Sequence, residues 1–408
     1  MNIYDYYFST NKEKEQWLEN LSIISGLKYF GGKAKIGKYI LNHIFNMAID
    51  MTTKEENQNK PFVFIDAFCG GGKIGLSIPT GFFDYVVIND LDWGVYNYFK
   101  YVKENPELLI KTIEVIGQEF DEEKFFLFAK IRDDQRLDGL LAGALTWWTT
   151  YSSFNGMTDF DKISYALPYK VDNSKMILKE EDVKRTYEKN QYIEHEAIEK
   201  SMALARKKIP VLNKKMSRGN YIIENMDYKE LIKKYNGKNY STTSNTDEEK
   251  CDIPEGAVKL WYFDVPYHPY TLSAGNPAPY THTFTPDQAK EAVEIFSGQK
   301  EKDYGSIEYF LKSDYSLEDA VLMIKDLQKK GKASKEQLQI LALDNKNPND
   351  VSKAFAPLED ESKGFLKISL GGFDKGAISE GEKTVGYEYL WTHGFTDDTI
   401  KRIKKQVR

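Results

Sequence analysis

The residues best suited to chemistry are Asp264-Val265-Pro266-Tyr267. They close an apolar run, Val258-Lys-Leu-Trp-Tyr-Phe263, with the length and composition of a buried strand. A carboxylate and an aromatic ring separated by two residues make a clamp for a flat base that bears an amino group. Such an amine is a poor nucleophile, because its lone pair is delocalised into the ring. Acceptors for its two N–H protons favour the geometry and charge that develop as the nitrogen attacks a methyl group. Asp264 supplies one acceptor and the Val265 carbonyl the other. Pro266 restricts Val265 to extended conformations, which fixes where that carbonyl points, and Tyr267 stacks on the base. The bland alternative is an acidic turn with a packed tyrosine.

A second candidate is the glycine cluster Gly70 to Gly72. Gly70-x-Gly72-x-x-Gly75 fits a dinucleotide fingerprint, with Asp90 about 20 residues beyond Gly70 where a ribose-binding acid belongs. The same residues read as Asp66-x-Phe68-x-Gly70-x-Gly72, the first motif of methyltransferases. Either reading puts a turn without side chains beside a nucleoside, since only glycine lets backbone approach a ligand that closely. A phosphate-binding P-loop fails, because Leu76 stands where its lysine is required. A merely structural strand-turn-helix corner is the remaining reading.

The elements that must position these residues are short. Pro61 to Phe68, Tyr85 to Ile88 and Val258 to Phe263 read as buried strands, with a helical pattern from Trp93 to Val102. Strands alternating with helices predict a doubly wound α/β sheet, whose ligands sit at the carboxyl ends of the strands. Asp66, Asp90 and Asp264 all fall at or near such ends. A chain of 408 residues, 41% hydrophobic, has room for a core domain and an inserted or appended second one. Cys69 and Cys251 stand far apart, without disulfide or zinc spacing, which suits a reducing compartment. Neither a signal peptide nor a membrane-length apolar run occurs, so a soluble cytoplasmic protein is expected.

The net charge of −6 does not advertise nucleic-acid binding, but basic stretches do occur. One holds Lys28, Lys33, Lys35 and Lys38, and a second holds Arg206, Lys207, Lys208, Lys214, Lys215 and Arg218. The tail carries Lys401, Arg402, Lys404, Lys405 and Arg408. Each reads equally well as a solvated helix face. Residues 236–256 are polar and turn-rich, as in a surface loop. Residues 301–363 read as a helical insertion, with helix starts at Ser316-Leu-Glu-Asp and Ser334-Lys-Glu-Gln.

In this order the motifs resemble the Dam-like N6-adenine-specific DNA methyltransferases, whose amino-group motif reads Asp-Pro-Pro-Tyr. Lys28-Tyr29-Phe30-Gly31-Gly32-Lys33 is similar to the family's Lys-Trp-x-Gly-Gly-Lys, and Asn89-Asp90 to its Asn-Asp pair. Trp147 to Met157 resembles the segment ending in Phe-Asn-Gly, and Ala166 to Tyr169 the Val-Pro-Tyr after it. Asn220 to Leu231, Ser273 to Phe284 and Tyr387 to Thr392 complete the likeness. The resemblance implies a Rossmann-like methyltransferase sheet interrupted by a mainly helical target-recognition domain over residues 105–215. The core would comprise residues 22–104 and 216–300, with 364–408 as closing strands. It implies S-adenosylmethionine held by Tyr29, Lys33, Asp66, Phe68, Gly70, Gly72, Asp90, Asp227 and Tyr228, with no metal. Asp264, Val265, Pro266 and Tyr267 would act on a flipped-out adenine. Tyr151, Phe154, Asn155 and Lys35 would contact double-stranded DNA. A cognate restriction endonuclease and a bacterial or phage-infected cell are the implied setting.

Departures from the family pattern bear on these roles. Val265 replaces the first proline, Tyr29 replaces a tryptophan, and the residues after Gly156 lack an arginine that some relatives use for guanine contact. The target sequence therefore does not transfer. An adenine methyltransferase acting on RNA and a catalytically impaired DNA- or cofactor-binding relative are the competing readings. A nicotinamide-dependent oxidoreductase would leave Asp264 to Tyr267 unexplained.

Overall fold

The computed structural model describes residues 20–31, 33, 36–161, 163–166, 180–236, 253–266, 282, 284, 286–314, 356–375 and 384–406. The three runs read as strands form β1 (Phe62–Asp66), β2 (Tyr85–Asn89) and β4 (Val258–Phe263). With them come β3 (Tyr221–Glu224), β5 (Tyr309–Asp314), β6 (Phe365–Lys375) and β7 (Thr384–His393). Among the described residues these make one sheet in the order β3-β2-β1-β4-β5-β7-β6. Strands β1 to β5 pair in parallel, while β7 runs antiparallel to both β5 and β6.

All five residues of β1 are buried because helices cover both faces of the sheet. Phe62 and Phe64 join one apolar cluster with α1 (Gly37–Thr53), whereas Val63 and Ile65 join another. That second cluster contains α7 (Tyr228–Asn236) and α8 (Pro286–Phe296). This alternation is the period-two signature of a strand, here apolar on both sides. The α/β sheet expected for a Rossmann-like methyltransferase is thus present.

Between β2 and β3 the chain makes α2 (Trp93–Glu104), α3 (Pro106–Gly117), α4 (Glu122–Ile131), α5 (Gly139–Ser152) and α6 (Glu180–Arg218). Asp92, Asn105, Asp121 and Asp138 cap the first four, each side chain accepting from an N–H three residues on. Helix α5 packs among α2, α3 and α4 and is buried on nearly every side, so it lacks an amphipathic stripe. Its Trp148 donates Nε1–H to the Ile113 carbonyl at 2.9 Å, and Trp147 donates to Ser201 Oγ at 3.2 Å. These helices share the apolar cluster of α1 and β1.

Two differences from the sequence reading have physical causes. Residues 309–314, expected inside a helical insertion, form β5 and extend the parallel sheet from β4. Lys312 breaks the apolar run there, yet it is 1% exposed, with its ammonium 5.0 Å over the Trp391 ring. Among the described residues of 301–363, Glu301–Tyr304 makes one short α-helical turn, α9, and Ala356–Glu359 and Glu361–Lys363 make 3-10 turns. The helix starts at Ser316 and Ser334, and most of the loop at 236–256, lie outside the described residues. The second difference is the passage from β1 to β2. It consists of turns and a 3-10 helix, Gly75–Ser77, with no α-helix behind the glycines. A dinucleotide fingerprint needs a helix N-terminus at that point, so the oxidoreductase reading fails. No helix among the described residues is long and apolar enough to cross a membrane.

Candidate functional site

The strand order reverses between β1 and β4, and in open α/β sheets the crevice outside such a reversal is where ligands bind. Asp66 ends β1, and Asp264 follows β4 by one residue. Asp66 is buried, with Oδ2 accepting from the Gly75 N–H at 3.0 Å. Its Oδ1 has no hydrogen-bond partner among the described residues. Burial pushes its pKa up to about 8, with Asp264 and Asp90 adding to the rise and the Gly75 bond opposing it. Asp90, partly open to the crevice, is raised to about 6 by burial and by neighbouring Asp92. Three carboxylates therefore converge on one end of the sheet.

Backbone and amide bonds hold this end rigid. Asp90 accepts from the Gly70 N–H at 2.7 Å and the Asp92 N–H at 3.0 Å, so it organises the glycine turn as well as facing the cleft. Asn89 donates to the carbonyls of Ala67 and Met226 at 2.9 and 3.0 Å and accepts from the Met226 N–H at 3.0 Å. Gly70 and Gly72 have φ of +48° and +72°, which favours glycine. A Cβ on Gly70 would also stand 2.9 Å from the Tyr29 ring. Tyr29 thus covers the turn.

Tyr29, Phe68, Gly70, Asp90, Asp227, Tyr228, Asp264 and Pro266 line a single cleft, together with His282 and Phe284. Phe68, Tyr228 and Phe284 form an aromatic triad in it, with ring centroids 5.4 to 5.7 Å apart. The Tyr228 hydroxyl is buried without a partner among the described residues. Another cleft opens at the opposite ends of β4 and β5, beside Lys233, Lys259 and Tyr304, away from the acids.

Asp264 is held from two sides. Lys33, 4% exposed, places its ammonium 2.7 Å from Asp264 Oδ1. Ser313 donates its hydroxyl to the same oxygen at 3.2 Å and is itself 2.8 Å from the Tyr262 hydroxyl. Lys33, expected with the cofactor residues, thus pairs with Asp264 and is not among the residues lining the cleft. Val265 is 3% exposed and packs in the apolar cluster of α7 and α8. Its N–H makes no hydrogen bond among the described residues. Val265→Pro is accordingly expected to fold normally and keep its turnover, with a modest stability gain of about 0.4–1 kcal/mol. Thermal denaturation and single-turnover methylation of wild type and variant check this. A collapse of activity in a folded protein would show that the loop needs that N–H. Tyr267 and Lys35 lie outside the described residues.

The residues expected to meet DNA fall into two groups. Asn155 is exposed at φ +54°, on the 3-10 turn Phe154–Gly156. This turn docks on the Tyr29 segment: Phe30 donates N–H to the Gly156 carbonyl at 3.0 Å, and Lys28 donates to the Ser153 carbonyl at 2.7 Å. A Cβ on Gly156 would lie 2.5 Å from the Lys28 carbonyl oxygen, so only glycine permits the approach. Tyr151 instead packs against Trp147, with centroids 4.0 Å apart and the rings tilted by 31°, and accepts from Lys208 Nζ at 2.6 Å.

Two contacts escaped the sequence. Arg132, fully buried, makes a bidentate pair with Asp92, both bonds at 2.6 Å. The pair ties the loop after β2 to α4. One residue on, Asp133 accepts from the Trp93 N–H at 2.6 Å and from His282 Nε2 at 2.8 Å. Burial alone would lower the His282 pKa, but Asp133, Asp92 and Asp90 raise it. Neither pair has a spacing signal, because each joins elements distant in sequence.

The cleft's acids, glycine turn and post-β4 motif keep the order of one family. The family of D12 class N6 adenine-specific DNA methyltransferases matches residues 29–307, which take in Tyr29, the glycine turn, Asp66, Asp90 and the Asp264 motif but not Ser313 on β5. No curated protein matches the chain. The chain belongs to the D12 class of N6 adenine-specific DNA methyltransferases.

Proposed function

We propose that this cleft binds S-adenosylmethionine and a flipped-out adenine side by side, with Asp264 and the Val265 carbonyl as the acceptor pair for N6. The observation that carries the reading is the convergence of Asp66, Asp90 and Asp264 beside the Phe68, Tyr228 and Phe284 rings. Asp90 and Asp264, which line the cleft, suit a cationic ligand, and the aromatic triad suits a nucleoside base. When bound, S-adenosylmethionine supplies a methyl group on a sulfonium cation. Asp90 and Asp227 would hold its hydroxyls and base, and Gly70 admits it to the backbone. Asp264 orients the adenine amine, with Lys33 and Ser313 fixing the carboxylate. Stacking of Tyr267 on the base would complete the clamp. Asn155, Phe154 and Lys35 would touch the duplex, and the helices of 105–215 would carry target recognition. The protein would act in the cytoplasm of a bacterial or phage-infected cell, alongside a cognate endonuclease.

Expression in a methylation-free host, followed by sequencing that detects modified adenines, tests the reading. N6-methyladenine at one defined motif is the expected outcome. Methylation found in RNA and absent from DNA would overturn it.

Cofactor binding should depend on pH in a defined direction. A cationic ligand favours the ionised forms of Asp66 and Asp90, whose pKa values stand at about 8 and about 6. Affinity is therefore expected to rise with pH from below 6 to above 8, by at most about tenfold per unit for each group. The free protein follows the opposite sign. Carboxyls raised above their unfolded values contribute stability at low pH that is lost as pH rises through 6 and 8. Calorimetry across this range measures the affinity, and a flat profile would remove these acids from the site.

A further inference from the structure

Among the described residues, a strip of lysines beside the cleft pairs with no carboxylate except at its inner end. Lys208 and Lys215 lie on α6 seven positions apart, on one face of the helix, and both are half-buried. Lys208 donates to the Tyr151 hydroxyl at 2.6 Å, and Lys215 donates to the Ile78 carbonyl at 2.7 Å. Lys73 follows the glycine turn and is close enough to Lys33, Asp264 and Lys208 to interact with all three. Elsewhere on the described surface, lysines such as Lys200, Lys234 and Lys300 lie against glutamates. Burial lowers the pKa of Lys208 and of Lys215 to about 8, so these cations are desolvated without compensation. Val211, between them on the same face, is 62% exposed, so the strip opens to solvent.

We propose that Lys73, Lys208 and Lys215 form a phosphate track for duplex DNA, along which the backbone of the target strand runs toward Asp264. The spacing suits this ligand. Seven residues of helix span about 10 Å, or about three base steps of 3.4 Å along a strand. Neutral hydroxyl and carbonyl partners orient the ammonium groups while leaving their charge to an anion. A contact of this kind positions the duplex without reading its sequence.

The proposal rests on the DNA methyltransferase reading, and its test separates the two. Duplex affinity of the full-length protein is measured by fluorescence anisotropy over a range of NaCl concentrations. Lys73→Gln, Lys208→Gln and Lys215→Gln are each expected to reduce the slope of log Kd against log salt by about 0.9, for any duplex sequence. Lys208→Arg should keep the wild-type slope, and so should Lys200→Gln, whose side chain pairs with Glu196. Calorimetry with S-adenosylmethionine and a melting curve establish that each variant is folded. Glutamine variants with the wild-type slope would overturn the track alone. Loss of slope in Lys208→Arg would mean that this lysine serves only to pack Tyr151, which also overturns it. A wild-type protein that binds no duplex at low salt would overturn the methyltransferase reading along with it.

Discussion

Asp264→Asn is expected to slow methyl transfer within the bound complex by about a hundredfold or more while leaving the protein folded. Asparagine keeps the shape of the side chain but replaces a charged acceptor with an amide that also donates. The target amine then loses one of the two acceptors that support the charge developing on it. Removing one such preorganised group costs about 2.7–4 kcal/mol in the barrier. Lys33, 2.7 Å from Oδ1, and Ser313, 3.2 Å away, leave this oxygen little freedom to compensate by moving. Single-turnover methylation of an adenine-containing duplex, with cofactor binding measured in parallel, is the check. Near-normal turnover would place the chemistry on other residues.

The largest loss of stability should follow Arg132→Met. Arg132 and Asp92 are 0% and 1% exposed, and the guanidinium donates to both carboxylate oxygens. Burial alone would raise the Asp92 pKa, but Arg132 holds it below the usual carboxylate range. Asp92 also caps α2 through the Val95 N–H at 2.9 Å. Deleting the arginine strands a buried carboxylate, at a cost of about 3–5 kcal/mol. Replacing both partners with apolar residues, Arg132→Met with Asp92→Leu, should recover much of that loss, because no charge is left unpaired. Urea denaturation of wild type, single and double variants measures both effects. A single variant within about 0.5 kcal/mol of wild type, the range of ordinary surface substitutions, would show that the pair is not structurally important.

The sequence made legible what depends on local pattern. Buried strands β1, β2 and β4 announce themselves as short apolar runs, and each is followed or closed by an acid that the fold brings to one crevice. The glycine turn was legible for the same reason, since its backbone needs φ values that favour glycine. What stayed hidden depends on partners distant in the chain. Lys33 reads as a basic residue for the cofactor until the fold sets it against Asp264. Arg132 reads as the end of an ordinary helix, and Tyr151 as an open aromatic until Lys208 meets it. Strand β5 was missed because its one charged interior residue, Lys312, is sheltered by an aromatic ring supplied from β7.

The docking of the Phe154–Gly156 turn onto Lys28 and Phe30 limits how far this protein is modular. Under the proposed function, swapping the helices between β2 and β3 for those of a relative would be a way to retarget the enzyme. Here the graft would have to reproduce the backbone positions that accept from Phe30 at Gly156 and from Lys28 at Ser153, both donors lying far outside the exchanged block. The same N-terminal residues carry Tyr29, which lies on the glycine turn. A chimera that leaves residues 26–31 native to the host would therefore move the Tyr29 cover of the glycine turn together with the exchanged helices. The two segments are expected to keep their fit only when transplanted together.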